Sequence, residues 1–267
     1  MFAAAGVIHK ISLGRVPVRG IASIDDELFA LVQRNDNQVA VYSINDYKTL
    51  RHISLPGYKI SFSDYMASCV LRKCLFMSQC LERHVLRYEL ASSSVSKWPV
   101  HGVPIGLSVM QNGNLLVTAC DPTVVIELSA ESGKRLREIA LGAGIENLSH
   151  GIQLANGQFV VCHGAYCSLN RVCMVDDDGR VTRSYGGEVG SGDGQLRCAD
   201  HLAVDEDSQL IFVADRCNNR VVVLSPKLEF VRYIIEGISE PARLYFDQTT
   251  RRLYVAHSKG CVTVIQF

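Results

Sequence analysis

Four of the chain's eight histidines share a sequence context. His150 and His201 open short apolar runs, while His163 and His257 close others. Imidazole titrates near neutrality and is a common zinc ligand. Placed together, His150, His201 and His257 would hold a metal, zinc or calcium, with a position left open for water. Such a site would serve a metal-assisted lyase or hydrolase. No ligand motif of fixed spacing joins the three, however. The competing reading has each histidine hydrogen-bonded locally around a polar channel mouth, with no cofactor.

Other chemistries find less support. There is no Ser-His-Asp signature and no nucleophile elbow. The glycine run Gly186–Gly194 lacks the Lys-Ser/Thr ending and the following helix of a phosphate-binding loop, so it reads as a connection. Cys162, Cys167 and Cys173 surround His163, but Cys162 and Cys173 belong to neighbouring apolar runs and read as packing. Ten cysteines without a CxxC pair do not make a secretory disulfide framework. The first sixteen residues do not read as a signal peptide, and no apolar run approaches the ~18 residues of a membrane helix. A reduced, cytoplasmic, non-membrane protein is expected. Lys plus Arg equals Asp plus Glu at 27 each, so no global field draws the chain to nucleic acid.

The elements that must position these residues are short. Runs rich in Val, Ile, Leu and Tyr alternate with Gly, Asn, Asp and Ser, which predicts strands and turns. One phrase recurs: an apolar strand, an acidic or Asn-Gly turn, then a second strand ending in a polar loop. It begins at Gly20, Asp64, Pro104, His150, His201 and Arg243, with turns such as Asp25-Asp26-Glu27, Asn112-Gly113 and Asn156-Gly157. The spacing of about 40 to 50 residues is that of four-stranded propeller blades. Third and fourth strands follow each phrase, except that the sixth lacks its fourth. Val7–Leu13 (Val-Ile-His-Lys-Ile-Ser-Leu) matches the fourth-strand text Leu50–Leu55 (Leu-Arg-His-Ile-Ser-Leu). The expected fold is therefore all-β: a six-bladed β-propeller of four-stranded antiparallel blades, closed by an N-terminal strand that completes the last blade. Residues 1–267 are expected to form this one domain.

The fifth repeat carries the most specific text: His201-Leu-Ala-Val-Asp205, then Ile211-Phe-Val-Ala-Asp215, then Asn218-Asn219-Arg220-Val221. It resembles the NHL repeat, in which a Val-Ala-Asp strand end precedes an Asn-Arg pair. Asn170-Arg171-Val172 repeats part of the pattern. The resemblance implies a domain like the C-terminal propeller of TRIM-NHL proteins, which bind proteins or RNA. No RING or B-box spacing is present, so ligase chemistry does not carry over. The fold hosts enzymes as well, so it does not choose between uses.

In a propeller the second-to-third-strand loops share one face, here called the top, with the blade-to-blade connections. That face would carry the binding candidates: Arg34, Asp121, His150, His163, His201, Asp215, Arg216, Arg243, His257 and Lys259. Its charge is nearly balanced, with ten bases against eleven acids. The opposite, bottom face has thirteen acids against eight bases. Neither offers the concentrated positive field that RNA requires. The expected function is a non-catalytic scaffold, monomeric, that binds a protein or other ligand through its top-face loops; the alternatives are the metal-assisted lyase or hydrolase and an RNA-binding NHL domain, the latter disfavoured by the charge.

Overall fold

The computed structural model describes residues 6–14, 16–33, 38–55, 58, 61, 64–165 and 167–267. Six separate four-stranded sheets contain all of its strands. The first blade is β2–β5 (Val18–Ile24, Glu27–Val32, Gln38–Ser43, Thr49–Ser54) and the second β6–β9 (Met66–Cys69, Cys74–Gln79, His84–Glu89, Val95–Pro99). The third is β10–β13 (Val103–Val109, Leu115–Cys120, Val124–Leu128, Arg135–Ala140) and the fourth β14–β17 (Leu148–Gln153, Phe159–His163, Leu169–Val175, Val181–Glu188). The fifth is β18–β21 (Ala199–Val204, Ile211–Asp215, Arg220–Leu224, Phe230–Ile234). The sixth is β22–β24 (Pro241–Asp247, Arg252–His257, Cys261–Gln266) plus β1 (Gly6–Ser12). First strands touch first strands all the way round, β2 to β6, β6 to β10 and on to β22 and back to β2, so the sheets form a closed six-bladed propeller.

Burial follows strand position. Second strands are covered on both faces and both edges, and read as continuous apolar runs. Phe29, Phe76, Phe159, Phe212 and Tyr254, all on second strands, are among the largest fully buried side chains. Fourth strands face solvent and bury little: β5 buries Ile53 and β13 buries Ile139. β1 repeats that pattern with Ile11 as its buried residue. It pairs antiparallel with β24 from Gly6↔Gln266 to Ser12↔Cys261, which is the closure expected from its text.

The Asn-Gly turns form for a local reason. Asn112 Oδ1 accepts the Asn114 N–H at 2.9 Å and Asn156 Oδ1 accepts the Gln158 N–H at 3.0 Å. Each leaves its glycine at positive φ, near 80°, where a side chain would be strained.

The first strands share an irregularity that matters for the site. A register shift interrupts β2 before Gly20, β10 before Gly106, β14 before His150, β18 between Ala199 and Leu202, and β22 before Arg243. Such bulges re-aim the side chains beside them. In the second blade Tyr65 stands opposite Ser78, one residue before β6. Gly20, Tyr65, Gly106, His150, His201 and Arg243 are thus equivalent positions, one per blade, around the central axis.

Candidate functional site

Two of those six positions are glycines because neighbouring blades come too close for a side chain. A Cβ on Gly106 would lie 2.3 Å from Thr118 Oγ1 and 2.7 Å from the Ser149 carbonyl oxygen. The other four carry planar groups, and these stack across the channel. The rings of His150 and His201 lie 3.7 Å apart, 21° from parallel. Tyr65 stacks against both, at 6.0 and 5.7 Å. The Arg243 guanidinium sits over Tyr65 at 3.9 Å, a favourable cation–π arrangement.

Three of these groups reach the backbone of the following blade. The Leu202 N–H donates to His150 Nδ1 at 3.3 Å, and the Leu244 N–H donates to His201 Nδ1 at 3.4 Å. Arg243 Nε donates to the Arg19 carbonyl at 2.9 Å. His150 also donates from Nε2 to the Leu107 carbonyl at 2.9 Å, which ties it to the preceding blade. With one nitrogen accepting and the other donating, His150 is fixed as a neutral ring. Burial agrees: it holds His150 down at about 4 and His201 well below the ordinary imidazole range, and Arg243 opposes protonation of both. Burial pushes the Tyr65 phenol up to about 12.

The plug divides the channel. On the bottom side a cavity of about 390 Å³ opens between the first-to-second-strand turns. His150 and His201 line it together with Ser108, Ile152, Leu244 and the mouth residue Glu206. Val70 and Leu71 also line it and are among the exposed large apolar residues. Burial raises Glu206 above the usual carboxylate range, and Asp207 and Asp205 add to the effect. Among the described residues no cation forms an ion pair with it.

On the top side the channel end is charged. Arg19, held down at about 10 by burial and by Arg243, lies near Asp64 and Arg216. Arg216 pairs with Asp200 at 3.0 Å. A second hollow of about 360 Å³ lies beside Arg197, Arg216, Cys217, Asn219 and Glu240.

The ten expected site residues do not share one place. His150, His201 and Arg243 meet in the plug. Arg216 is at its top end. His163 and His257 close second strands, one strand out from the axis, and each is engaged there. His163 Nε2 meets Cys173 Sγ at 3.4 Å, and His257 Nε2 meets Thr263 Oγ1 at 2.8 Å with Nδ1 against the Ser239 backbone. Of these four histidines, His150 and His201 stack together on the axis, and His163 and His257 lie at the ends of second strands. Among the described residues, no three His, Cys, Asp or Glu side chains are grouped as a metal site.

Asp215, expected among the binding candidates, organises its own loop. Fully buried, it accepts bonds from the Arg197 N–H (2.6 Å), Asn218 Nδ2 (2.8 Å) and Arg220 Nε (2.7 Å). Asp121 pairs with Arg83, and Lys259 with Glu240, at the surface. Arg34 lies outside the described residues. Sequence reasoning missed Tyr65, whose signal was its place directly after Asp64 at the start of a repeat.

No protein-family profile matches the chain, and no curated protein does. Solved structures do match over nearly the full length. Hydrazine synthase of Kuenenia stuttgartiensis is 13% identical with a TM-score of 0.65, covering 94% of this chain and 96% of that one. A catalytically inactive virginiamycin B lyase from Staphylococcus aureus, solved with quinupristin, is 12% identical with a TM-score of 0.68, covering 99% and 100%. A streptogramin B lyase is 10% identical with a TM-score of 0.68, covering 97% of each chain. At these identities the likeness is one of fold. It supports the propeller and leaves the NHL resemblance resting on the motifs of the fifth blade.

Proposed function

We propose that the chain is a non-catalytic binding module whose partner is a protein segment carrying an apolar side chain next to a basic one. The carrying observation is the cavity of about 390 Å³ at the bottom face, with apolar walls and Glu206, which no cation pairs with among the described residues, exposed at its mouth. An apolar side chain entering it would leave water, and a neighbouring Lys or Arg would meet Glu206 and the surrounding acids. The expectation from the sequence put the partner on the top face. The proposal moves it to the bottom, where the channel is open and acids outnumber bases by thirteen to eight.

The engagement of His150 at both ring nitrogens supports a structural over a catalytic role for the histidine pair. A zinc or calcium site at His150, His201 and His257 would require His257 to leave Thr263. The acidic bottom face likewise weighs against RNA.

Two capped peptides test the reading, Ac-Gly-Lys-Phe-Lys-Gly-NH2 and Ac-Gly-Glu-Phe-Glu-Gly-NH2, followed by NMR shifts of the cavity residues. The basic peptide should move Ser108, Ile152 and Leu244 resonances, with roughly tenfold weaker binding for the acidic one. Ser108→Trp, which fills the cavity, should abolish the effect. Equal responses to both peptides, or responses that survive Ser108→Trp, would rule the site out.

A further inference from the structure

Two thiols meet on the top face, away from the cavity. Cys198 lies just before β18 and Cys217 lies in the one-turn 3-10 segment Arg216–Asn218 that follows β19. The two stretches are stitched together by backbone bonds, from the Arg216 N–H to the Cys198 carbonyl (3.1 Å) and from the Cys217 N–H to the Arg197 carbonyl (3.0 Å). The Ala199↔Asp215 pair continues the ladder. Held this way, the two sulfurs stand 2.8 Å apart. A disulfide needs about 2.05 Å, so bond formation calls for a movement of about 0.8 Å. Cys198 is buried, whereas Cys217 is exposed and lines the top hollow with Arg197 and Arg216. One thiol is therefore reachable and the other waits behind it, which is the arrangement of an entry and a resolving cysteine.

We propose that Cys198 and Cys217 form a reversible dithiol–disulfide site that exchanges with low-molecular-weight disulfides. The Cys217 thiolate attacks one sulfur of the oxidised reagent RSSR, forming the mixed disulfide Cys217–S–S–R and releasing RS⁻. The Cys198 thiolate then attacks the Cys217 sulfur, forming the Cys198–Cys217 bond and releasing the second RS⁻. Two protein thiols are oxidised, RSSR is reduced to two RSH, and the thiol protons pass to the leaving groups. The new bond would clamp the strand carrying Asp200 to the turn carrying Arg216, whose side chains already pair at 3.0 Å. Burial, together with the Cys198 sulfur, pushes the Cys217 thiol up to about 11. Arg216 pulls the other way and Asp200 adds to the rise; Arg197 and Glu240 share the hollow. The first exchange is accordingly slow at neutral pH and should speed up about tenfold per pH unit between pH 7 and 9. Nothing in this site depends on the peptide-binding reading.

The test uses the full chain in glutathione buffers of stepped GSSG/GSH ratio, quenched with acid, unfolded, alkylated and mapped by mass spectrometry. A Cys198–Cys217 linkage should be the first disulfide to appear and should revert with dithiothreitol. Cys198→Ser should stop at a glutathione adduct on Cys217, and Cys217→Ser, a change at an exposed position, should give neither adduct nor linkage. Prior formation of another pair, Cys69–Cys74 above all, would overturn the proposal. So would both thiols remaining fully alkylated at ratios where glutathione adducts form elsewhere on the chain.

Discussion

Acid should weaken this fold through His150, and the size of the effect follows from its surroundings. The ring is buried between two blades, donates to the Leu107 carbonyl, accepts the Leu202 N–H and lies 3.7 Å from His201. A second proton on Nδ1 would face the Leu202 N–H that this nitrogen accepts, and burial holds the group at about 4 against 6.5 in the unfolded chain. As the pH falls through 6.5 the unfolded chain takes up a proton that the folded one refuses until about 4. Stability is thus complete above 6.5 and declines across that window by about 1.4 kcal/mol per unit, or roughly 3 kcal/mol in all. His201, depressed further by burial and by His150 itself, acts in the same direction. The measurement is urea unfolding at pH 7.5, 6.0 and 4.5 for the native chain and for His150→Gln. The variant should begin about 1–3 kcal/mol less stable at pH 7.5, through its lost hydrogen bonds. Between pH 7.5 and 4.5 it should then lose about 2.5 kcal/mol less than the native chain, because the carboxylates that also titrate there are common to both. Parallel stability curves for the two proteins would show that His150 is not the neutral, desolvated group described here.

Two further outcomes concern parts of the ring distant from the cavity. Asp215→Ala leaves the Arg220 guanidinium buried with only the Ser191 and Gln195 carbonyls and the Tyr233 ring; a loss of about 3–5 kcal/mol in urea unfolding is expected, with much of it regained in Asp215→Ala/Arg220→Leu. Ile11→Lys places a charge at the buried position of β1, so the β24 amides should exchange with deuterium much faster while those of β12 keep their protection, and light scattering should detect association through the bared strand edge.

The architecture was legible because blades must repeat. Turn chemistry such as Asn112-Gly113 and the fourth-strand pattern shared by Ile11 and Ile53 leave their mark in the residues themselves. Even the closure by β1 could be read, since a solvent-facing fourth strand has one buried position and a recognisable polar remainder. The site was less accessible. Whether a histidine reaches the axis depends on its strand within the blade and on the bulge beside it. His150 and His201 flank bulges on first strands; His163 and His257 sit one strand further out and bond locally. Tyr65 joins the plug with no histidine or motif to advertise it. The side on which the channel opens is set by where four planar groups happen to stack, and a strand pattern carries no record of that.

The pairing of β1 with β24 also sets how the molecule would respond to load. Gly6 lies opposite Gln266, so the strand ends nearest the two termini are at the same end of one antiparallel pair. A pull applied through the termini meets the backbone bonds of that pair one after another, as in opening a zipper, rather than all at once in shear. The ring should therefore have a mechanical weak seam at this one junction, giving way at low force and releasing a short length of chain. The other five blades, which lie behind that seam, would then carry the load.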